Sequence, residues 1–140
     1  MQDKDCELQP TEYTEKRHVV IADDHPTISH ALQRILVRIG GVETAEADSF
    51  DALKELMAST PTDLVLLDLE MPGTEGYSAL TYLRRKYPKV PVAVVSGHVQ
   101  PTIVRTAIEL GATAYIPKTL KMRELVSALQ TGMRRKTWTG

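Results

Sequence analysis

Two rhythms alternate along this chain: short, solid apolar runs, and longer segments with apolar residues on one side only. The run His18 to Ala22 is brief, β-branched and apolar, and reads as a buried strand. Pro26 follows where a first helical turn tolerates it. Ile28, Leu32, Ile35, Leu36 and Ile39 then share one helical face, and Gly40-Gly41 ends the helix. Val42 to Ala47 alternates weakly and forms a second strand. Asp48 or Ser49 can cap a helix carrying Ala52, Leu53, Leu56 and Met57, which ends before Pro61.

Leu64 to Asp68 is a third strand, and the loop Met71-Pro72-Gly73-Thr74-Glu75-Gly76 breaks the chain. Leu80, Leu83 and Tyr87 mark a helix that stops before Pro88. Pro91 to Ser96 is a fourth strand, its proline tolerated at the start. Ile103, Ala107, Ile108 and Leu110 give a fourth helix closed by Gly111, and Ala114-Tyr115-Ile116 a short fifth strand. A last helix, about Lys121 to Arg135, presents Met122, Leu125, Leu129 and Met133. Solid apolar strands alternating with amphipathic helices specify an α/β fold, a parallel sheet covered on both faces. Right-handed crossovers restrict it to a few doubly wound orders.

Ligands of such sheets bind beyond the carboxyl ends of the strands. Asp23 and Asp24 end the first strand, Asp68 the third, Ser96 the fourth, and Lys118 follows the fifth. A buried, unpaired carboxylate costs several kcal/mol or is neutralised by a pKa shift. Three of them side by side repel unless a cation holds them, which points to a hard divalent ion such as Mg²⁺. Asp24 alone could merely favour a helix N-terminus. Asp68 could cap, or act as a nucleophile towards phosphorus. A lone loop lysine is commonly just solvated and a serine after a strand commonly a turn residue. Their joint occurrence on four strand ends is much harder to ascribe to accident.

Composition narrows the classes. The 140 residues are 42% apolar and 25% charged, enough for one well-filled core. A net charge of −1 offers no general attraction to nucleic acid or anionic membrane. No stretch approaches a membrane span, and a single cysteine, Cys6, fits a reducing compartment, so the expected location is the cytoplasm. Residues 1–16 are polar and acidic and are expected to be a flexible leader. His18, His30 and His98 are isolated, which argues against zinc; His25, beside the acid pair, could tune it but more simply begins a helix.

At this point the chain resembles the response-regulator receiver domain of two-component signalling, over about Arg17 to Arg135. The motifs are Val-Val-Ile-Ala-Asp23-Asp24-His25-Pro26, Asp63-Leu-Val-Leu-Leu-Asp68-Leu-Glu-Met-Pro72-Gly73, Val94-Val-Ser96-Gly97 and Gly111-Ala-Thr-Ala-Tyr115-Ile-Pro-Lys118. The first and last look most like the subfamily with a helix-turn-helix, DNA-binding output. The resemblance implies a flavodoxin-like, doubly wound five-stranded parallel sheet of order 2-1-3-4-5 with five helices. It implies that Asp68 accepts a phosphoryl group from a sensor histidine kinase. Asp23, Asp24, Asp68 and the backbone carbonyl of Glu70 would hold Mg²⁺. Ser96 and Lys118 would grip the phosphoryl oxygens, and Tyr115 would switch with Ser96. Glu70, Gly97 and His98 would tune phosphate lifetime. One departure stands out: relatives often carry a cis proline after the lysine, whereas here Thr119 follows and Pro117 precedes. A cis bond before a non-proline costs about 2.5–4 kcal/mol, so the geometry of Lys118–Thr119 is left open.

The receiver would then be a phosphoacceptor rather than an enzyme, spanning residues 17–135, with 136–140 a tail or the start of a linker. A kinase and a second copy of the chain are the expected partners. DNA contact is expected only through an output domain outside this sequence. An aspartate-nucleophile phosphatase is the enzyme rival, with Glu70 two residues after Asp68, but no long capping insertion is present. A flavin or nucleotide module would need an anion loop where Asp23-Asp24 stands. A receiver-like interaction module without phosphorylation is the third alternative.

Overall fold

The computed structural model describes residues 17–73, 77–97 and 100–118. The leader, the Lys121–Arg135 helix, the tail, His98 and Thr119 (hence the Lys118–Thr119 bond) fall outside the described residues.

Among the described residues five strands and four helices alternate: β1 Arg17–Ala22, α1 Pro26–Ile39, β2 Val42–Ala47, α2 Phe50–Ser59, β3 Leu64–Leu67, α3 Ser78–Lys86, β4 Val92–Ser96, α4 Pro101–Glu109 and β5 Ala114–Pro117. The strands form one parallel sheet of order β2-β1-β3-β4-β5, the flavodoxin-like arrangement that the family resemblance implies. Central strands β1 and β3 are the solid apolar runs, because both of their faces are covered. Edge strand β2 is Val-Glu-Thr-Ala-Glu-Ala and only partly buried, which explains its weak pattern.

The two-residue period of the strands divides the core. Val19, Ile21, Leu64, Leu66, Ala93 and Val95 meet Leu32, Ile35 and Leu36 of α1. Val20, Ala22, Val65, Leu67, Val92 and Val94 face α2, α3 and Ala107 of α4. Burying each Leu, Ile or Val contributes about 1.5–3 kcal/mol, so a one-residue slip of a strand would exchange the two sets and is strongly opposed.

Ends are set locally. Ser49, rather than Asp48, caps α2, its hydroxyl accepting the Ala52 N–H at 3.1 Å. Helix α4 departs from its apolar pattern: Ala107 alone is fully buried, Ile103 packs partly, and Ile108 and Leu110 are 45% and 36% exposed. The guanidinium of Arg84, on α3, donates to the carbonyls of Gly111 at 3.2 Å, Tyr87 at 2.9 Å and Val90, fastening two loops. Burial lowers its pKa. Gly111 takes φ +110°, and a Cβ there would stand 2.4 Å from Arg84 Cδ. Glycine is required on both counts. Among the described residues no helix is long and apolar enough to cross a membrane.

Candidate functional site

Asp23, Asp68 and Lys118 each stand one step beyond a strand, where the sheet ladder still holds the backbone. The Asp23 N–H donates to Ala47 O at 3.0 Å, the Asp68 N–H to Ala22 O at 2.8 Å, and the Lys118 N–H to Ser96 O at 2.7 Å. These bonds tie the ends of β1 to β2, β3 to β1 and β5 to β4. Parallel strands whose ends lie level therefore deliver the three side chains to one edge.

Asp68 is 1% exposed. Its Oδ1 accepts the Glu70 N–H at 3.0 Å, and its Oδ2 accepts from Lys118 Nζ at 3.2 Å. Lys118 Nζ also stands 3.1 Å from Asp23 Oδ2. One ammonium thus bridges two buried carboxylates carried on different strands. Burial raises the Asp68 pKa, with the charge of Asp23 adding to it, against the lowering effects of the Glu70 N–H and Lys118. For Lys118, burial alone would lower the pKa, but its contacts with Asp23 and Asp68 prevail and raise it.

His25 is the residue that sequence reasoning undervalued. It does precede α1, at the N-cap position, but makes no side-chain capping bond. Its ring instead turns into the acid cluster. Nδ1 lies 2.9 Å from Asp23 Oδ1, 3.2 Å from Asp24 Oδ1 and 3.5 Å from Asp68 Oδ2. Its backbone N–H also donates to Asp23 Oδ1 at 2.9 Å. The hydrogen bond to Asp23 raises the His25 pKa; Lys118 and burial oppose this, and the charges of Asp23 and Asp24 assist it. The signal available beforehand was adjacency to an acid pair, with a proline behind it.

A cation fits this arrangement. Asp23, Asp24, His25 and Asp68 each offer a ligand atom, all within 4.8 Å of one another. Asp23 Oδ2 and Asp24 Oδ1 are buried without an aligned hydrogen bond from the protein. The ion-pair distances to them, from Lys118 and His25, are short, but direction is lacking. Buried acceptors left this way cost about 1–3 kcal/mol each, more when charged, and a metal ion or its water would satisfy them.

The other expected residues stand on the neighbouring strands and loops. Ser96 ends β4, fully buried. Tyr115 pairs with Val94 across β4–β5 and packs half-buried against the core on the α4 side. Gly97 is exposed, with open space where a Cβ would stand. Glu70 contributes its amide to Asp68, with its side chain at the exposed rim.

Comparison with known proteins identifies the family. Residues 19–130 match the response regulator receiver domain family. The chain is 33% identical over 114 residues to the glycerol metabolism activator of Pseudomonas putida, covering 80% of this chain and 52% of that protein. It is 34% identical over 116 residues to a Mycobacterium tuberculosis protein described as the transcriptional regulatory protein NarL, covering 82% and 54%. The chain therefore spans about half the length of these relatives. Among solved structures, the signal receiver domain of NarL from Mycobacterium tuberculosis superposes with TM-score 0.73 at 35% identity, covering 86% of this chain and 99% of that one.

Proposed function

The chain belongs to the response regulator receiver family, and from that premise we propose that Asp68 is its phosphoryl acceptor. The observation that carries this reading is the Asp68 carboxylate itself: almost wholly buried, held at one oxygen by the Glu70 N–H, and facing the Lys118 ammonium at 3.2 Å with the other. A carboxylate fixed at both oxygens has lost its rotational freedom before any donor arrives, which is the positioning that phosphoryl transfer depends on. Attack by a carboxylate oxygen forms the bond to phosphorus as the bond to the donor breaks. The donor is a sensor histidine kinase.

Asp23, Asp24, Asp68 and the Glu70 carbonyl would hold Mg²⁺, which when bound would neutralise charge on the phosphoryl oxygens. Lys118, already at the Asp68 oxygen, can follow the new dianion and form charge-assisted hydrogen bonds to it. The Ser96 hydroxyl would take another phosphoryl oxygen, and Tyr115, on the adjoining strand, would move with Ser96. The surface around α4 and β5 would thereby change with phosphorylation. Glu70, Gly97 and His98 would set the lifetime of the phosphate, which the domain slowly hydrolyses itself.

The relatives described as regulators of transcription support transcriptional control as the output. DNA would be met by an output domain outside these residues, whose net charge of −1 gives duplex DNA little attraction. The kinase and a second copy of the chain are the proposed protein partners, in the cytoplasm. Intact-mass measurement after incubation with Mg²⁺ and a small phosphodonor tests the site. One acid-labile phosphoryl group is expected on the wild type and none on Asp68→Asn; equal incorporation by that variant would move the acceptor elsewhere.

A further inference from the structure

We propose that Nδ1 of His25 completes a mixed oxygen–nitrogen site with Asp23, Asp24 and Asp68, which takes a borderline divalent cation such as Co²⁺, Ni²⁺ or Zn²⁺ through the ring as well as the carboxylates. This rests on the reading of the acid cluster as a metal site and adds a ligand of different chemistry to it. Metal–ligand bonds of about 2.0–2.2 Å separate neighbouring ligand atoms by about 2.8–3.1 Å in an octahedron and about 3.3–3.6 Å in a tetrahedron. The His25 ring nitrogen lies 2.9, 3.2 and 3.5 Å from the oxygens of Asp23, Asp24 and Asp68, within that span. The ring nitrogen thus already stands at ligand-to-ligand spacing from all three carboxylates, and the four donors lie within 4.8 Å of one another.

Two further observations place the ring there for binding rather than for helix capping. His25 makes no capping hydrogen bond, although it occupies the N-cap of α1. Its backbone is held by the N–H bond to Asp23 Oδ1 on one side and by Pro26 at the first helical position on the other. The second observation is the buried Asp23 Oδ2, on a residue 5% exposed, which has no aligned hydrogen bond and meets the Lys118 ammonium at 3.1 Å. Lys118 approaches from the same pocket, 3.4 Å from the ring nitrogen. Its repulsion acts on every divalent cation alike, so it lowers affinity without altering preference.

Preference comes from ligand type. Mg²⁺ is a hard ion that seeks oxygen and keeps several waters, whereas imidazole suits Co²⁺, Ni²⁺ and Zn²⁺. In the tautomer with the proton on Nε2, the Nδ1 lone pair faces the carboxylates. The ring should therefore contribute to transition-metal affinity and little to that for Mg²⁺.

Titration of the full chain with Co²⁺, followed by visible absorption and calorimetry, tests this against a parallel Mg²⁺ titration. Excess Mg²⁺ must displace the Co²⁺, which excludes binding at other histidines. His25→Ala and His25→Gln are both expected to weaken Co²⁺ by about tenfold or more while changing Mg²⁺ by less than about threefold. Unchanged Co²⁺ affinity in both variants would show that the ring is no ligand. Equal tightening of both ions would show that the ring only obstructs the site, and would overturn the proposal as well. If Asp23→Asn bound both ions as tightly as the wild type, the metal reading of the cluster would itself fail, an outcome distinct from the loss of the histidine alone.

Discussion

Lys118→Met removes a charge and keeps most of the stem, which isolates what the ammonium does between two buried acids. Nζ lies 3.1 Å from Asp23 Oδ2 and 3.2 Å from Asp68 Oδ2. At an effective dielectric of about 20, each contact carries roughly 5 kcal/mol of gross Coulomb attraction. Most of that is offset by the cost of burying the ammonium, several kcal/mol per ion. The variant does not recover the difference, because the carboxylates of Asp23 and Asp68, 5% and 1% exposed, stay behind and repel each other. Breaking a buried pair from one side costs about 3–5 kcal/mol. Proton uptake by one acid limits the damage, so about 3 kcal/mol is expected at neutral pH in chelator, or about 10–15 °C in Tm. Urea and thermal unfolding measure it. Excess Mg²⁺ should return part of the loss, and the Asp68→Asn/Lys118→Met double variant should lose less than Lys118→Met alone, with a coupling above about 1 kcal/mol. A loss below about 1 kcal/mol together with no coupling would refute the bridging role.

Asp68→Asn is expected to unfold at higher temperature than the wild type at neutral pH without metal. The folded Asp68 carboxyl has a raised pKa through burial, so its contribution is present at acid pH and lost as pH rises through the folded value. The advantage of Asn should therefore vanish on acidification, and a pH-independent gap would contradict the cause assigned. Arg84→Met should cost about 2–4 kcal/mol by denaturant titration, because the carbonyls of Tyr87, Val90 and Gly111 lose a charged donor. Gly111→Ala should cost more than about 1 kcal/mol, from its φ of +110° and the contact with Arg84; wild-type stability in either variant would speak against that clasp.

Much of this architecture is legible because a strand buried on both faces cannot hide its apolar run. Leu64 to Leu67 needs no partner in view to be read as interior, and the next residue, Asp68, then has to stand at the strand's end. The acid pair, at the end of β1, follows from the same rule, whereas Lys118 comes after a partly buried edge strand. Ile108 and Leu110 help to mark α4 yet stand exposed, because periodicity records which residues are apolar, not whether another surface meets them. The choice between Asp48 and Ser49 turned on which side chain reaches the Ala52 N–H, and the Ser49 hydroxyl does so at 3.1 Å. Arg84 left no trace in the pattern, since its acceptors belong to loops separated from it by up to 27 residues. His25 depended on how the chain turns between β1 and α1, which only the folded sheet edge decides.

The backbone bonds from Asp23 to Ala47, from Asp68 to Ala22 and from Lys118 to Ser96 have a consequence for how the protein breathes. Reactive residues are usually carried on loops that open by small local fluctuations, and their amides trade protons with solvent quickly. Here those three amides are rungs of the sheet's own ladder, so opening any of them means parting a strand from its neighbour. Their hydrogen exchange should follow that of Val65 or Leu67 rather than that of the surrounding loops. An arriving ion or phosphoryl group would then find an anchorage as rigid as the interior of the sheet, with little entropy left to lose.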